Sequence, residues 1–282
     1  MMEYYFVLLG LRVLLKTPTP IQITESLRPF VCGAFASQAD CTISIEEGVL
    51  PKPSQDGYWH GPEYYDNAGE SRGIFYCRKP LEEPFAHTRF TAAGDIQITV
   101  HPDHAHCFSG TSGIFNRIGF ENLLLQHQGL LLHASLIEYA GQGIALTGPS
   151  GVGKSTQAEL WRRCFGAKVL NGDRAALRMT PAGWFAYGSP YAGTSGIYCN
   201  ESAPLRAIVV LSQGKENMLQ RLSAGEAMAH IWPELSLRRQ DGDFVAKATA
   251  LCARLLGEIP VYRLECLPHE SGARLLKEGL SL

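Results

Sequence analysis

The sequence predicts a two-part α/β protein, with a β-rich region over residues 1–111 and an α/β domain over residues 112–282. Short β-prone stretches separated by turn residues fill most of the first region, whereas strands and helices alternate in the second. A chain of 282 residues that is 45% hydrophobic and 18% charged can bury a real core. This composition excludes a disordered or collagen-like chain.

Charge and cysteine usage narrow the class of function. The formal net charge of -2 lacks the basic surplus of a bulk nucleic-acid-binding protein, so we expect no nucleic-acid partner. None of the eight cysteines stands in a C-x-x-C pair, which favours reduced thiols and a cytoplasmic location over a zinc ribbon or a disulfide framework.

The apolar N-terminus could be mistaken for a membrane segment. Arg12 interrupts the apolar run and Lys16 ends it, so the run is shorter than the roughly 20 residues that a membrane span needs. No basic stretch precedes it, which argues against a signal peptide. We therefore expect two short strands here and no membrane partner.

The remaining β-prone stretches of the first region lie at residues 21–23, 41–45, 73–77 and 96–100. Between them, a long predicted loop over residues 50–73 contains four aromatic residues, Tyr58, Trp59, Tyr64 and Tyr65. These rings either bind a ligand, which would give residues 1–111 a role in recognising a substrate, or pack the loop against its own surface.

The second region opens with an amphipathic pattern over residues 112–128 that predicts one helix, ended by Gly129. Two β-prone runs around Ala140-Gly141-Gln142-Gly143 then predict a hairpin. A turn centred on Gly141 and Gln142 would bring His133 opposite Ser150. The further predicted elements are a helix over 156–165, strands over 168–170 and 207–211, a helix that Ser223 and Glu226 begin with a capping box, a helix over 244–256, a strand over 261–264 and a helix over 270–280.

One motif indicates chemistry. Residues 148–155 read Gly-Pro-Ser-Gly-Val-Gly-Lys-Ser and fit G-x-x-x-x-G-K-[ST], between a predicted strand and a predicted helix. In such a loop, backbone N–H groups surround a phosphate, Lys154 reaches the β- and γ-phosphates, and the Ser155 hydroxyl binds Mg²⁺. The sequence therefore predicts that ATP and Mg²⁺ bind here. The predicted binding residues are Gly148, Ser150, Gly151, Val152, Gly153, Lys154, Ser155 and Thr156.

The candidate carboxylate is Asp173, one helix and one strand beyond the motif. At the carboxyl end of that strand it would bind Mg²⁺ or accept the proton of an attacking hydroxyl. The alternative is that Asp173 caps a turn in Asn171-Gly172-Asp173-Arg174. The buried strand over 207–211 ends in Ser-Gln-Gly and no N-K-x-D motif occurs, which argues against a motor ATPase or a GTPase.

Three segments together resemble a known family: His133-Ala134-Ser135, residues 146–155 and Asn171-Gly172-Asp173-Arg174. They resemble the C-terminal domain of HPr kinase/phosphorylase, a P-loop fold related to phosphoenolpyruvate carboxykinase, and more closely the HPr-kinase-like proteins of bacterial peptide-modification clusters. The resemblance implies an ATP- and Mg²⁺-dependent serine kinase. It implies His133, Lys154 and Asp173 as catalytic residues and Ser155 and Asp173 as metal ligands. Arg174 would either stabilise the transferred charge or form a plain salt bridge.

The sequence departs from the HPr kinase/phosphorylase family at two places. Gly172 stands where HPr kinases usually carry the first of two Asp residues, and the C-terminal segment of the phosphorylase reaction is not recognisable. We therefore expect transfer of the γ-phosphate to a serine or similar hydroxyl of a peptide, small protein or small molecule, and residues 188–196 are a candidate lining of the acceptor site. The alternatives are a gluconate- or shikimate-type metabolite kinase and a non-catalytic ATP-binding regulator. The oligomeric state stays open, a homo-oligomer included.

Overall fold

The computed structural model describes residues 1–67, 69, 72–80, 82–191 and 193–282. The chain is mixed α/β, with two large sheets and a β-rich N-terminal part. It divides into two compact units, Met1–Gly119 and Phe120–Leu282. The predicted boundary, between residues 111 and 112, lies one short helix before this division. Within the described residues, no helix has the length and apolar character needed to cross a membrane.

The first unit contains an eight-stranded sheet in the order β1-β2-β3-β8-β7-β6-β5-β4. Its strands are β1 (Met2–Leu8), β2 (Leu11–Thr17), β3 (Cys41–Glu47), β4 (Tyr58–His60), β5 (Glu63–Asp66), β6 (Gly73–Tyr76), β7 (Ala86–Phe90) and β8 (Ile96–Val100). The apolar N-terminus forms the antiparallel pair β1 and β2. Short 3-10 helices span Glu25–Phe30 and Pro102–Phe108, and α1 (Thr111–Ile118) ends the unit.

The segment over residues 50–73, predicted as one long loop, contains the strands β4 and β5 and the aromatic residues Trp59 and Tyr64. Tyr64 is buried, accepts a hydrogen bond from Gly57 N at 2.9 Å and donates one to Ser54 O at 2.6 Å, so it pins the segment before β4. Trp59 is 37% exposed and lines a pocket of about 420 Å³ together with Tyr64 and neighbouring prolines. Part of residues 50–73, namely 68, 70 and 71, lies outside the described residues.

The helix predicted over residues 112–128 is wrong as a single element. Two helices occur, α1 and α2 (Phe120–Gln126), and Gly119 separates them with φ of +71° and ψ of 117°. A glycine reaches this conformation at little cost, whereas a helix cannot continue through it. The division between the two units falls at the same glycine.

The second unit contains a sheet in the order β10-β9-β12-β13-β14-β16-β15, with β11 paired to β9. Strand β10 also pairs with β14, in parallel. The pairings therefore form a closed ring of five strands, β10, β9, β12, β13 and β14. The strands are β9 (Gly129–Tyr139), β10 (Gln142–Thr147), β11 (Lys168–Asn171), β12 (Arg174–Thr180), β13 (Gly183–Tyr187), β14 (Ser202–Gln213), β15 (Met218–Arg221) and β16 (Val261–Cys266). The further helices are α3 (Lys154–Phe165), α4 (Ala224–Ile231), α5 (Gly242–Glu258) and α6 (Glu270–Gly279), with 3-10 turns at Gly193–Ser195 and Trp232–Glu234.

Helices cover both faces of the central strands, which explains their apolar sequences. In β14, Ile208 and Val210 pack in the core cluster that contains α4 and α5. Between them, Val209 packs in the cluster that contains α3 and α6. A strand buried on both faces needs apolar residues at every position, so residues 207–211 form a continuous apolar run.

The local predictions in this unit agree with the structure to within a few residues. Helices α3, α5 and α6 and strands β11, β14 and β16 overlap the predicted elements. The capping box is confirmed, because the Ser223 side chain and the Glu226 carboxylate satisfy the first backbone N–H groups of α4. The hairpin of β12 and β13 was not predicted.

The predicted register of the β9–β10 hairpin is wrong. Ala140 and Gly141 form the two-residue turn, with φ of +51° and +77°, so the turn lies one residue earlier than predicted. Thr147 therefore pairs with Ala134. Continuation of this register brings His133 opposite Gly148 rather than Ser150, and the Thr147 hydroxyl donates to the His133 carbonyl at 2.8 Å.

The second unit depends on Trp161, which is fully buried in α3 and packs edge-on against Tyr139 and Phe165 with ring-centre distances of 5.6 and 5.2 Å. We expect Trp161→Ala to lower the free energy of unfolding by about 3–5 kcal/mol, because the cavity cannot fully collapse. Urea denaturation measures this loss. The exposed Arg163, on the same helix, is the control, and Arg163→Ala should change stability by less than about 0.5 kcal/mol. Equal effects of the two substitutions would contradict the packing.

Candidate functional site

The glycine-rich loop between β10 and α3 has a backbone that only glycine adopts without strain. Gly148, Gly151 and Gly153 have φ of +138°, +79° and +110°. A Cβ on Gly151 or Gly153 would stand in open space, with no atom within 4 Å, and no side chain caps α3. The free N–H groups at the start of α3 and the open space above the loop suit an anion.

Lys154 is the first residue of α3, and its side chain lies back over the loop. It is 9% exposed, and Nζ donates to the carbonyls of Gly148 at 2.7 Å and Pro149 at 3.2 Å. Burial lowers the pKa of Lys154, while the carboxylates of Glu234 and Asp173 act in the opposite direction. The glycine-rich loop itself follows Thr147, whose hydroxyl donates to the carbonyl of His133 at 2.8 Å.

Asp173 lies in the turn between β11 and β12 but does not cap it. The buried Asn171 does so, since its Oδ1 accepts from Asp173 N at 2.9 Å and from Arg174 N at 2.6 Å. The Asp173 carbonyl accepts from Ala134 N at 2.9 Å, which ties the turn to β9. The Asp173 carboxylate is thus left for other contacts.

An imidazole lies between two carboxylates beside this turn. His133 Nε2 is 3.8 Å from Asp173 Oδ1, and His133 Nδ1 donates to Glu234 Oε2 at 3.0 Å. The Glu234 side chain is only 13% exposed and ends the 3-10 turn Trp232–Glu234. We call His133, Asp173 and Glu234 the carboxylate–histidine cluster.

Arg174 holds its guanidinium beside the cluster through three contacts. It lies over the Tyr191 ring at 5.0 Å, Nη1 donates to Ser236 Oγ at 3.1 Å, and Nε is 3.7 Å from Asp173 Oδ2. The arrangement contains the salt bridge predicted for Arg174, and it also places a fixed positive charge at the cavity next to the cluster. That cavity has a volume of about 420 Å³ and is lined by Glu121, His133, Asp173, Arg174, Pro233, Glu234, Leu235, Ser236 and Leu237.

The candidate acceptor loop, residues 188–196, lies next to Asp173, although Ala192 is outside the described residues. A Cβ on Gly193 would come within 2.8 Å of Cβ and Cγ of Asp173. A Cβ on Gly172 would collide with the hydroxyl of Ser195. Ser195 thus occupies the space that a carboxylate at position 172 would need, so Gly172 is required by packing.

A family model described as SynChlorMet cassette protein ScmC matches residues 120–267, just over half of the 282 residues. The chain belongs to the ScmC family. The matched range lies in the second unit and contains both the glycine-rich loop and the carboxylate–histidine cluster. ScmC is a different family from the HPr kinase/phosphorylase family that the motifs resemble.

No curated protein sequence matches the chain. Among solved structures, the Hpr(Ser) kinase/phosphatase from Coxiella burnetii is 11% identical, with 54% of this chain and 92% of that chain covered and a TM-score of 0.31. A likeness at this level supports neither a fold assignment nor a function.

The donor set of this ScmC-family chain is chemically compatible with a magnesium ion shared with a phosphate. Ser155 supplies a hydroxyl and Asp173 a carboxylate, the oxygen ligands that Mg²⁺ prefers. In the part of the chain that the structure describes, no group of three or more His, Cys, Asp or Glu side chains is placed to hold a metal. Mg²⁺ commonly binds through one or two carboxylates, water and substrate phosphates, so a site of this kind needs no cluster of three such side chains.

Sequence reasoning missed Glu234. The residue stands in Trp232-Pro233-Glu234, which matches no catalytic motif, and it lies 101 residues beyond His133 in the chain. Its contact with His133 arises because the segment after α4 returns to β9, where Leu132 and Leu235 form a β-bridge. No local pattern in the sequence of this chain predicts the contact between Glu234 and His133.

Proposed function

We propose that this protein is an ATP-dependent phosphotransferase that moves the γ-phosphate to a serine or similar hydroxyl. The observation that carries the proposal is the placement of the carboxylate–histidine cluster beside the strand that leads into the glycine-rich loop, since the Thr147 hydroxyl donates to the His133 carbonyl at 2.8 Å and Ala134 N donates to the Asp173 carbonyl at 2.9 Å. A loop suited to phosphates and a carboxylate suited to proton transfer thereby lie at neighbouring ends of β10 and β9, with a polar cavity beside the carboxylate.

Each residue has a role in the proposed reaction. The loop N–H groups and Lys154 hold the triphosphate, and the Asp173 carboxylate accepts the proton of the acceptor hydroxyl. The hydroxyl oxygen bonds to the γ-phosphorus, the bond from that phosphorus to the β–γ bridging oxygen breaks, and ADP leaves. Arg174 stabilises the negative charge of the transferred group. Magnesium, held by Ser155 and Asp173, would neutralise charge on the phosphates.

His133 acts as a positioning residue in this proposal. Its Nδ1 proton is held by Glu234, so the ring is fixed with Nε2 toward Asp173. The acceptor is a peptide, small protein or small molecule that enters the cavity beside Asp173. Calorimetry with Mg·ATP, followed by transfer of ³²P from γ-labelled ATP to a panel of serine peptides and hydroxylated metabolites, tests the function. If the protein binds no ATP, the proposal is wrong.

Removal of the Glu234 carboxylate should lower kcat about tenfold, because a charged hydrogen bond that fixes His133 is lost. The Kd of Mg·ATP should stay unchanged or fall, because a negative charge that acts on Lys154 is removed. The variant is Glu234→Ala, and steady-state transfer kinetics with calorimetry separate the two quantities. Glu201→Ala, which removes an exposed carboxylate paired with Lys168, is the control and should have no effect.

The same experiment distinguishes positioning from an independent contribution. If Glu234 acts through His133, His133→Ala and the double variant should show the same loss as Glu234→Ala. Losses that add in the double variant would show that the two side chains act separately.

A further inference from the structure

A second cavity of the α/β unit lies where the parallel strands β14 and β16 end. Its volume is about 820 Å³, and it is lined by Gln213, Gly214, Lys215, Glu216, Asn217, Met218 and Glu265. Strands β10, β14 and β16 run parallel and adjacent. Open α/β sheets bind ligands outside the carboxyl ends of such strands. We call this cavity the β14–β15 cavity.

The β14–β15 cavity adjoins the glycine-rich loop. Gln213 Nε2 donates to the carbonyl of Gly151 at 3.4 Å, and the Leu211 carbonyl is 3.1 Å from the position of a Cβ on Gly148. In the strand order, β10 has β9 on one side and β14 on the other. The loop that follows β10 therefore lies between the carboxylate–histidine cluster on the β9 side and this cavity on the β14 side.

The wall of the cavity is held in place by hydrogen bonds. Asn217 Oδ1 accepts from Leu267 N at 3.2 Å, and Asn217 Nδ2 donates to Ser271 Oγ at 2.8 Å. Glu265 lies 3.8 Å from Arg263 through its carboxylate, and Arg263 Nε donates to Ser212 Oγ at 3.4 Å. These contacts join the turn before β15 to β14, β16 and the start of α6.

The chemistry of the lining selects the kind of ligand. The lining contains two carboxylates, Glu216 and Glu265, and one ammonium, Lys215. Because Glu265 also pairs with Arg263, these charges nearly balance, and the carboxylate oxygens can accept hydrogen bonds from hydroxyl and amino groups of a ligand. Met218 is 51% exposed and offers a polarisable thioether against which a flat ring can pack. The volume lies within the range of roughly 300–1,000 Å³ typical of small-molecule sites.

We propose that the β14–β15 cavity binds the nucleoside part of the nucleotide whose phosphates lie on the glycine-rich loop. This inference rests on the proposed function. A neutral ribose with hydroxyl donors and a flat base match the carboxylates and the thioether, and the contact between Gln213 and Gly151 shows that the cavity adjoins the glycine-rich loop. Phosphoryl donor and acceptor then approach Lys154 from opposite sides.

Calorimetry with two probes, Mg·ATP and Mg²⁺ with inorganic tripolyphosphate, tests the proposal. For the double variant Met218→Ala/Glu265→Gln, we expect the Kd of Mg·ATP to rise at least about tenfold. The Kd of tripolyphosphate should stay unchanged or fall, because removal of a carboxylate charge cannot weaken the binding of an anion. Loss of ATP affinity alone can therefore come only from contacts to the nucleoside.

Lys154→Ala and Glu278→Gln complete the experiment. Glu278 is an exposed carboxylate on α6, and Glu278→Gln should change neither Kd. Lys154→Ala should weaken both probes, which supports the phosphate site independently of the nucleoside site. If the double variant leaves the Kd of ATP unchanged, or weakens both probes equally, the nucleoside site is wrong while the phosphate site stands. If the wild-type protein binds neither probe, both proposals are wrong.

Discussion

Asp173→Asn should abolish phosphoryl transfer while the fold and most of the affinity for Mg·ATP remain. The substitution keeps the size of the side chain but removes the charge that accepts the hydroxyl proton. General-base catalysis contributes roughly 10²–10⁴ in rate, and a shared role in Mg²⁺ binding would make the loss larger. No second carboxylate stands in this turn to replace it, because position 172 is glycine.

The measurement is ³²P transfer from γ-labelled ATP to a serine-containing acceptor, with calorimetry of Mg·ATP in parallel. Asp243→Asn, at an exposed position in the first turn of α5, is the matched control and should transfer phosphate as the wild type does. The fold should persist because Asn171, and not the Asp173 side chain, caps the β11–β12 turn. Full transfer by Asp173→Asn would remove Asp173 from the reaction.

The second large effect is expected on nucleotide binding. Lys154→Ala should abolish the binding of Mg·ATP or weaken it about 10- to 100-fold, because no neutral side chain replaces the buried ammonium that would contact the phosphates. Because burial lowers the pKa of Lys154, the wild-type affinity should also begin to fall at a lower pH than an ordinary lysine would give. Above its pKa the side chain is neutral and no longer attracts the phosphates.

Calorimetry of both proteins at neutral pH, and of the wild type over a series of alkaline buffers, measures these effects. Lys168→Ala is the control, since this exposed lysine pairs with Glu201 away from the loop and should not affect ATP affinity. Thermal denaturation shows whether the loop carbonyls of Gly148 and Pro149 tolerate the loss of their donor. Equal ATP affinity of Lys154→Ala and the wild type would exclude the loop as the phosphate site.

The absence of paired Asp residues has a structural counterpart. A second carboxylate is present in the cluster, but it belongs to Glu234 and reaches His133 rather than the β11–β12 turn. The proposed division of roles follows from this geometry: Asp173 accepts the proton, and Glu234 fixes the histidine that lies beside Asp173.

The sequence by itself determined the features that depend on neighbouring residues. The glycines and Lys154 of the loop, with a strand before them and a helix after them, occur as the motif predicts. The capping box at Ser223 and the apolar strand over residues 207–211 were equally predictable, because side-chain chemistry and burial act there within one element.

Only the tertiary structure decided where distant segments meet. The β9–β10 register depends on which two residues of the turn adopt positive φ. A turn placed one residue earlier moves the partner of His133 by two residues, from Ser150 to Gly148. The contact between His133 and Glu234 joins residues 101 positions apart, through packing of the segment after α4 on β9. Periodicity and motif spacing report on local conformation, whereas such contacts depend on the packing of the whole unit.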